Sequence, residues 1–202
     1  MIRALFLLII ALLTPASAVA QTLPLTPTPA DVRVALETSA GRIVVAVHVG
    51  QAPITGGNFL RYVDQKRFDC TLFYRAFGTP DYGFVQGGTK NDPKRVRPPI
   101  AHEPTTKTGL THDDGALSMA RDVPGTANGD FFIVLGKMPS MDADPKAAGD
   151  NQGYAVFAHV VEGLDVVKAI VAAPRSPTAG EGAMKGQMLE PAVKIVTARR
   201  QP

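Results

Sequence analysis

The chain is poor in the residues that most catalytic and binding chemistry draws on. It has one cysteine, Cys70, in 202 residues, so no internal disulfide can staple it, and it must hold together through its core. Cys70 sits in the apolar-flanked run Cys70-Thr71-Leu72-Phe73 and is expected to be buried filler. Neither sign of charge dominates. The 21 Lys and Arg stand against 18 Asp and Glu, a formal net charge of +3, and the basic residues form no stripe, which argues against nucleic-acid binding. The four histidines, His48, His102, His112 and His159, have no metal-ligand spacing, so no metal site is expected. Ser118 lies in Leu117-Ser118-Met119, outside any Gly-x-Ser-x-Gly elbow, and gives no support for hydrolase chemistry. Gly56-Gly57 and Gly87-Gly88 do not make a phosphate-cradling fingerprint. The chain has no internal repeat and no low-complexity block.

What is present reads as an ordinary globular domain: 45% apolar and 19% charged residues, with 19 Gly and 17 Pro. That many turn formers favour short strands joined by loops over a helical bundle. The first twenty residues are set aside. Arg3 supplies a positive start, Leu5 to Leu13 an apolar run, and Ala18-Val19-Ala20 small residues before Gln21. The run is much shorter than the ~20 residues of a membrane span and reads as a secretory signal peptide cleaved near Ala20/Gln21. Export to the periplasm, with no stable membrane insertion after cleavage, is the expectation. Residues 21–31 read as a flexible linker, 32–198 as the domain and 199–202 as a C-terminal tail.

Within the domain, Val32 to Leu36 and Ile43 to Val47 alternate around the turn Ser39-Ala40-Gly41, a hairpin with one face inward. Pro53 opens a helix whose apolar face holds Phe59, Leu60 and Val63. Leu72–Arg75, Phe84–Gln86, Ala116–Met119, Phe131–Leu135, Tyr154–Val161 and Val193–Thr197 are further strands, and Leu164–Ile170 is a second helix. A polar, Pro-rich connection runs from Thr89 to Asp114, with Lys94-Arg95-Arg97 as a solvated basic loop. Many strands without strand–helix alternation point to an antiparallel sheet or barrel. Phe131 and Phe132 are neighbours on one strand and therefore point to opposite faces.

Several segments, in order, resemble the cyclophilin family. They are Pro53-Ile54-Thr55-Gly56-Gly57-Asn58-Phe59, Phe73-Tyr74-Arg75, Phe84-Val85-Gln86-Gly87-Gly88, Gly115 to Arg121, Asn128 to Ile133, Gly153 to Phe157 and Val160 to Val167. The match spans about residues 32 to 198. The resemblance implies an eight-stranded closed antiparallel β-barrel capped by two helices, with a proline-binding groove on its outer face. The implied activity is peptidyl-prolyl cis/trans isomerisation of exported polypeptides, without a cofactor, by a chain expected to be a monomer. Rotation about an X–Pro bond crosses a barrier of about 18–20 kcal/mol set by amide resonance. Arg75 is the implied donor to the twisted prolyl nitrogen. Phe84, Phe132 and Met141 would take the ring, Gln86 would anchor the substrate backbone, Ala120 would leave room for the residue before proline, and Tyr154 would border the groove.

The departures from the family pattern are as specific as the matches. Thr79-Pro80-Asp81-Tyr82 lengthens the stretch between Arg75 and Gln86, so that Phe84, Gly83 or Tyr82 competes for the aromatic position. Asp130 stands where many members carry Gln, and Ser140 where several carry Trp. Ala143 to Gln152 is a further insertion beside the groove. The altered loop and Asp130 keep a second reading open, a module on the same fold that binds proline-containing segments as a chaperone or assembly partner with little turnover.

Overall fold

The computed structural model describes residues 31–202. The expected signal peptide and all of the expected linker except Asp31 lie outside the described residues. Eight strands, β1 (Val32–Thr38), β2 (Gly41–Val47), β3 (Thr71–Thr79), β4 (Tyr82–Gly88), β5 (Ala116–Met119), β6 (Asp130–Leu135), β7 (Ala155–Glu162) and β8 (Met188–Arg200), close into a barrel in the order β1-β2-β7-β5-β6-β4-β3-β8. Every pairing is antiparallel. Closure leaves no strand with an unpaired edge. Helix α1 (Pro53–Asp64) packs against β7 and β8, and α3 (Leu164–Ala172) against β2, β3 and β4. The two expected helices are joined by a single helical turn, α2 (Thr105–Thr108), within the long connection.

Alternation accounts for the barrel interior. On β1, Val34 and Leu36 point inward, and on β2, Ile43, Val45 and Val47 do; all are fully buried. Helix α1 seals one end with Phe59, Leu60, Tyr62 and Val63, spaced as one helical face. Phe59 meets Phe68, Phe131 and Phe157 at ring-centroid distances of 5.2, 5.5 and 5.1 Å. Pro53 opens α1, where its missing N–H costs nothing. The buried Glu103 then accepts from both the backbone N–H and the hydroxyl of Thr55, at 2.6 and 2.7 Å. A carboxylate at the first turn satisfies an otherwise orphaned donor and complements the helix dipole. Asn58 donates to the carbonyl of Asn128 at 2.6 Å. The Thr and Asn of the first motif thus tie α1 to the long connection and to the entry of β6.

Three expectations are corrected. Cys70 is exposed, not buried; its positive φ of 58° at the turn before β3 swings the side chain outward. The tail begins later than residue 199, because β8 continues to Arg200. There Arg199 and Arg200 form two-pronged pairs with Asp69 and Asp64, with contacts of 2.7 Å. Finally, Tyr154 precedes β7 instead of opening it.

Candidate active site

The site is built on the outer face of four adjacent strands. Cross-strand pairing sets Arg75 of β3 beside Gln86 of β4, Gln86 beside Phe132 of β6, and Phe132 beside Ser118 of β5. In a regular strand Phe73 and Arg75 would share a face. A bulge between them shifts the register, so Phe73 enters the barrel core while Arg75 faces out. Sequence alternation gives no sign of this bulge. At Gly88, φ is +129° and a Cβ would come within 2.7 Å of Asp130 Oδ1, so the close approach of β4 to β6 requires glycine.

A groove of about 910 Å³ opens on this face, within the range of small-ligand sites. It is lined by Arg75, Phe84, Gln86, Ala120, Phe132, Met141 and Tyr154 together, the seven residues the resemblance placed at the groove. Its apolar part is a second cluster, separate from the barrel interior, in which Phe84, Phe132, Val134 and Met138 are buried and Ala120, Met141 and Tyr154 pack against them. Tyr154 meets Phe132 edge-on at 5.4 Å. Phe84, and not Gly83 or Tyr82, takes the aromatic position. It lies 5.7 Å from Phe132 and 5.0 Å below the Arg75 guanidinium carbon, while Tyr82 does not line the groove.

Arg75 is oriented by two amides. Its Nε donates to Gln187 Oε1 at 2.8 Å and its Nη1 to Gln86 Oε1 at 2.9 Å. Among the described residues no acceptor takes the Nη2 hydrogens. Gln187 is itself held by donating from Nε2 to the carbonyl of Ala183 at 2.7 Å. Burial pulls the Arg75 guanidinium below the ordinary arginine value, yet an arginine stays charged in any folded protein near neutral pH. The expected hold of Gln86 on the substrate backbone is narrowed. Its Oε1 serves Arg75 and its Nε2 donates to the Tyr74 hydroxyl at 2.8 Å, leaving one Nε2 hydrogen for a ligand.

The chain of donors continues to Asp130. The Tyr74 hydroxyl donates to Asp130 Oδ2 at 2.9 Å, and Asp130 Oδ1 accepts from the Lys90 N–H at 2.7 Å. Burial, reinforced by the Asp130 carboxylate, raises the Tyr74 phenol well above its usual range, so it remains a neutral donor. Asp130, one of the departures noted in the sequence, is thus held by Tyr74, the neighbour of Arg75 on β3.

A second polar group backs the groove floor. His112 is 1% exposed and stacks parallel to Phe132, with centroids 6.0 Å apart. Its Nδ1 lies 2.6 Å from Asp142 Oδ1 and its Nε2 3.0 Å from Ser118 Oγ. Burial outweighs the carboxylate and lowers the imidazole below the ordinary histidine value. His112 is therefore neutral, Nδ1–H donates to Asp142, and Nε2 accepts the Ser118 hydroxyl. Although the order Asp–His–Ser invites a hydrolytic reading, Ser118 is fully buried and none of the three lines the groove. At the other edge Arg121 donates to both carboxylate oxygens of Asp150, at 2.8 and 3.0 Å, and its guanidinium lies 5.1 Å from the Tyr154 ring centroid. Arg121 holds the Asp150 carboxyl down to about 2. The 143–152 insertion is thereby clamped beside Tyr154. Tyr74, Gln187, His112 and Arg121 were not foreseen as parts of this assembly, since each finds its partner far along the chain.

The fold and the groove together define a closed antiparallel barrel with an apolar outer groove overhung by a guanidinium. The comparisons agree. The model of the cyclophilin-type peptidyl-prolyl cis-trans isomerases matches residues 33–200. A peptidyl-prolyl cis-trans isomerase of Streptomyces antibioticus is 39% identical over 140 residues, covering 68% of this chain and 81% of the relative. Peptidyl-prolyl cis-trans isomerase B of Escherichia coli is 34% identical over 142 residues, covering 68% and 82%. The structure of a Cryptosporidium parvum cyclophilin-type isomerase, determined in the presence of the dipeptide Ala-Pro, superposes with a TM-score of 0.67. It does so at 19% identity, over 84% of this chain and 99% of that one, a likeness of fold. The chain belongs to the cyclophilin-type family and is a peptidyl-prolyl cis-trans isomerase.

Proposed function

We propose that this isomerase acts on proline-containing segments of exported polypeptides in the periplasm, and that Arg75 supplies the decisive interaction. The observation that carries the reading is the posture of Arg75. Two amides fix its Nε and Nη1, and Nη2 is left to the groove above Phe84. The reaction makes and breaks no bond, so the requirement is stronger binding of the twisted state than of either planar one. In the planar amide the prolyl nitrogen's lone pair is delocalised and accepts no hydrogen bond. As the bond rotates, conjugation is lost and the nitrogen turns pyramidal. A guanidinium N–H placed over it then gains an acceptor that exists only near the top of the barrier. Phe132, Phe84 and Met141 hold the ring, so the acyl side swings while the ring stays in place. The partly buried chain Asp130–Tyr74–Gln86 orients the donor beforehand, and little reorganisation is left for the moment of rotation.

Export rests on the N-terminal pattern of Arg3, Leu5–Leu13 and Ala18-Val19-Ala20. The chain to assay is the one recovered from the periplasmic fraction, where the mature protein is expected to begin at Gln21. Cis-to-trans conversion of an Ala-Pro peptide should be accelerated by this protein. Arg75→Ala should lower kcat/KM by about a hundredfold to a thousandfold, with an unchanged unfolding midpoint. Arg75→Lys should recover little, because an ammonium lacks the fork that both glutamines hold. A folded Arg75→Ala variant with near-normal turnover would remove Arg75 from the mechanism. Absence of acceleration by the wild type would leave the groove as a peptide-binding surface.

A further inference from the structure

The Thr79–Tyr82 departure lengthens the β3–β4 hairpin beyond the groove, and the pairing shows where its side chains go. Phe77 pairs with Phe84 and Thr79 with Tyr82. Directly paired residues share a face, as do residues two apart on one strand. Arg75 and Phe77 on β3 therefore lie on the same outer face as Gln86, Phe84 and Tyr82 on β4. Phe77 stacks on Phe84 at 5.6 Å with an interplanar angle of 29°, and Phe84 in turn lies 5.7 Å from Phe132. A row of rings thus runs from the buried floor of the groove to open surface. Phe132 is 5% exposed, Phe84 9%, Phe77 42%, and Tyr82, at the tip, 51%. A Cβ on Gly136 would lie 3.5 Å from Tyr82 Cδ2, so the Tyr82 ring borders the exit of β6 and flanks the same ledge. Two large exposed aromatic side chains, on one face of the hairpin and continuous with the groove through Phe84, are placed to meet something.

The occupant follows from the direction of the substrate. Ala120, the position for the residue before proline, donates its N–H to the carbonyl of Asp130, which pairs with Gly88 at the far end of β4 from Tyr82. A peptide entering beside Ala120 and seating its proline over Phe132 and Phe84 leaves over the hairpin. An extended chain advances about 3.3–3.6 Å per residue, so the 5.6 Å step from Phe84 to Phe77 is covered within two residues.

We propose that Phe77 and Tyr82 form a subsite for an apolar or aromatic side chain one or two residues after the proline of the substrate. This rests on the isomerase reading of the groove and adds a substrate preference to it. The test is exchange NMR on four peptides: Ala-Ala-Pro-Gly-Gly, Ala-Ala-Pro-Phe-Gly, Ala-Ala-Pro-Gly-Phe and, with the aromatic on the other side, Ala-Phe-Pro-Gly-Gly. For the wild type, the better of the two peptides with Phe after proline should exceed the Gly peptide in kcat/KM by about threefold to tenfold, as aromatic pairing contributes elsewhere. The gain should fall mainly in KM. Phe77→Ser and Tyr82→Ser, separately, should cut that ratio at least about twofold and leave the ratio for Phe before proline unmoved. Wild-type ratios near one, or a loss shared equally by all peptides in both variants, would overturn the subsite, since support of Phe84 alone would explain it. A shift in the preference before proline would overturn the assigned direction and the subsite with it. A wild type that accelerated none of the peptides would instead bring down the isomerase reading.

Discussion

Phe131 and Phe132 are adjacent in the chain and nearly equally hidden, at 0% and 5% exposure, yet they belong to different parts of the molecule. Phe131 points into the barrel and meets Phe59, Phe68 and Phe73 edge-on. Phe132 points outward into the groove cluster with Phe84, Val134 and Met138. The interior is apolar on all sides, and its ring contacts serve the fold. The outer cluster is backed by His112 and overhung by Arg75, and its other side opens onto the groove. Burial alone does not separate core from site in this protein. The distinguishing features are which face of the sheet a side chain occupies and whether polar groups converge on it.

The sharpest way to break this comparison is to truncate both rings. Phe131→Ala should cost about 3–5 kcal/mol of stability, the usual range for a large buried aromatic, measured by urea unfolding. Any loss of turnover should track the unfolded fraction. Phe132→Ala should cost less stability, because its ring already borders open space, while lowering kcat/KM by about tenfold to a hundredfold in fully folded protein. Equal effects of the two variants on both readouts would erase the distinction between interior and groove.

A smaller effect sharpens the polar side of the groove. Gln187 touches Arg75 from 112 residues away and should act only by positioning it. Gln187→Ala is expected to lower kcat by about threefold to tenfold with KM and the unfolding midpoint little changed, as loss of one hydrogen bond to a charged group implies. Gln187→Glu should restore most of the rate, since a carboxylate accepts from Nε equally well. A variant altered in KM alone would contradict a positioning role.

The smallest effect concerns the groove's backing. Burial, the first cause in both cases, lowers the imidazoles of His112 and His159 below the ordinary value, and the neighbouring His48 adds to it at His159. Their folded values lie below the unfolded value of about 6.5, so the unfolded chain binds the extra protons. Stability is then complete above pH ~6.5 and falls as the pH drops below it, by at most about 1.4 kcal/mol per pH unit for each histidine kept neutral. Urea midpoints between pH 7.5 and 5 should show this decline. The Asp64 and Asp69 carboxyls, which their arginine partners hold below the usual carboxylate range, contribute only at lower pH. A flat profile over that window would place His112 in a more open setting than the one seen.

Much of the barrel was legible because its determinants are local. Alternation along β1 and β2, the proline at the start of α1 and the opposite facing of Phe131 and Phe132 follow from backbone geometry that each short segment carries by itself. Resemblance in ordered motifs then supplied the residues of the groove, and all of them line it. The bulge that turns Arg75 outward, the exposure of Cys70 and the pairing that aims Phe77 and Tyr82 along the groove were not legible. A bulge or a lone positive φ breaks the very periodicity from which facing is read. The partnerships of Arg75 with Gln187, Tyr74 with Asp130, and His112 with Asp142 join residues 112, 56 and 30 positions apart. No local pattern encodes such distances, and closure of the barrel alone brings these groups within hydrogen-bonding range. The amino-acid order by itself determined the alternation of β1 and β2, the start of α1, the opposite facing of Phe131 and Phe132 and the family these segments make, but not the facing of Arg75 or Cys70. Tertiary structure decided how the outward polar groups hold one another, because a hydrogen-bond network depends on positions in space that sequence separation does not specify.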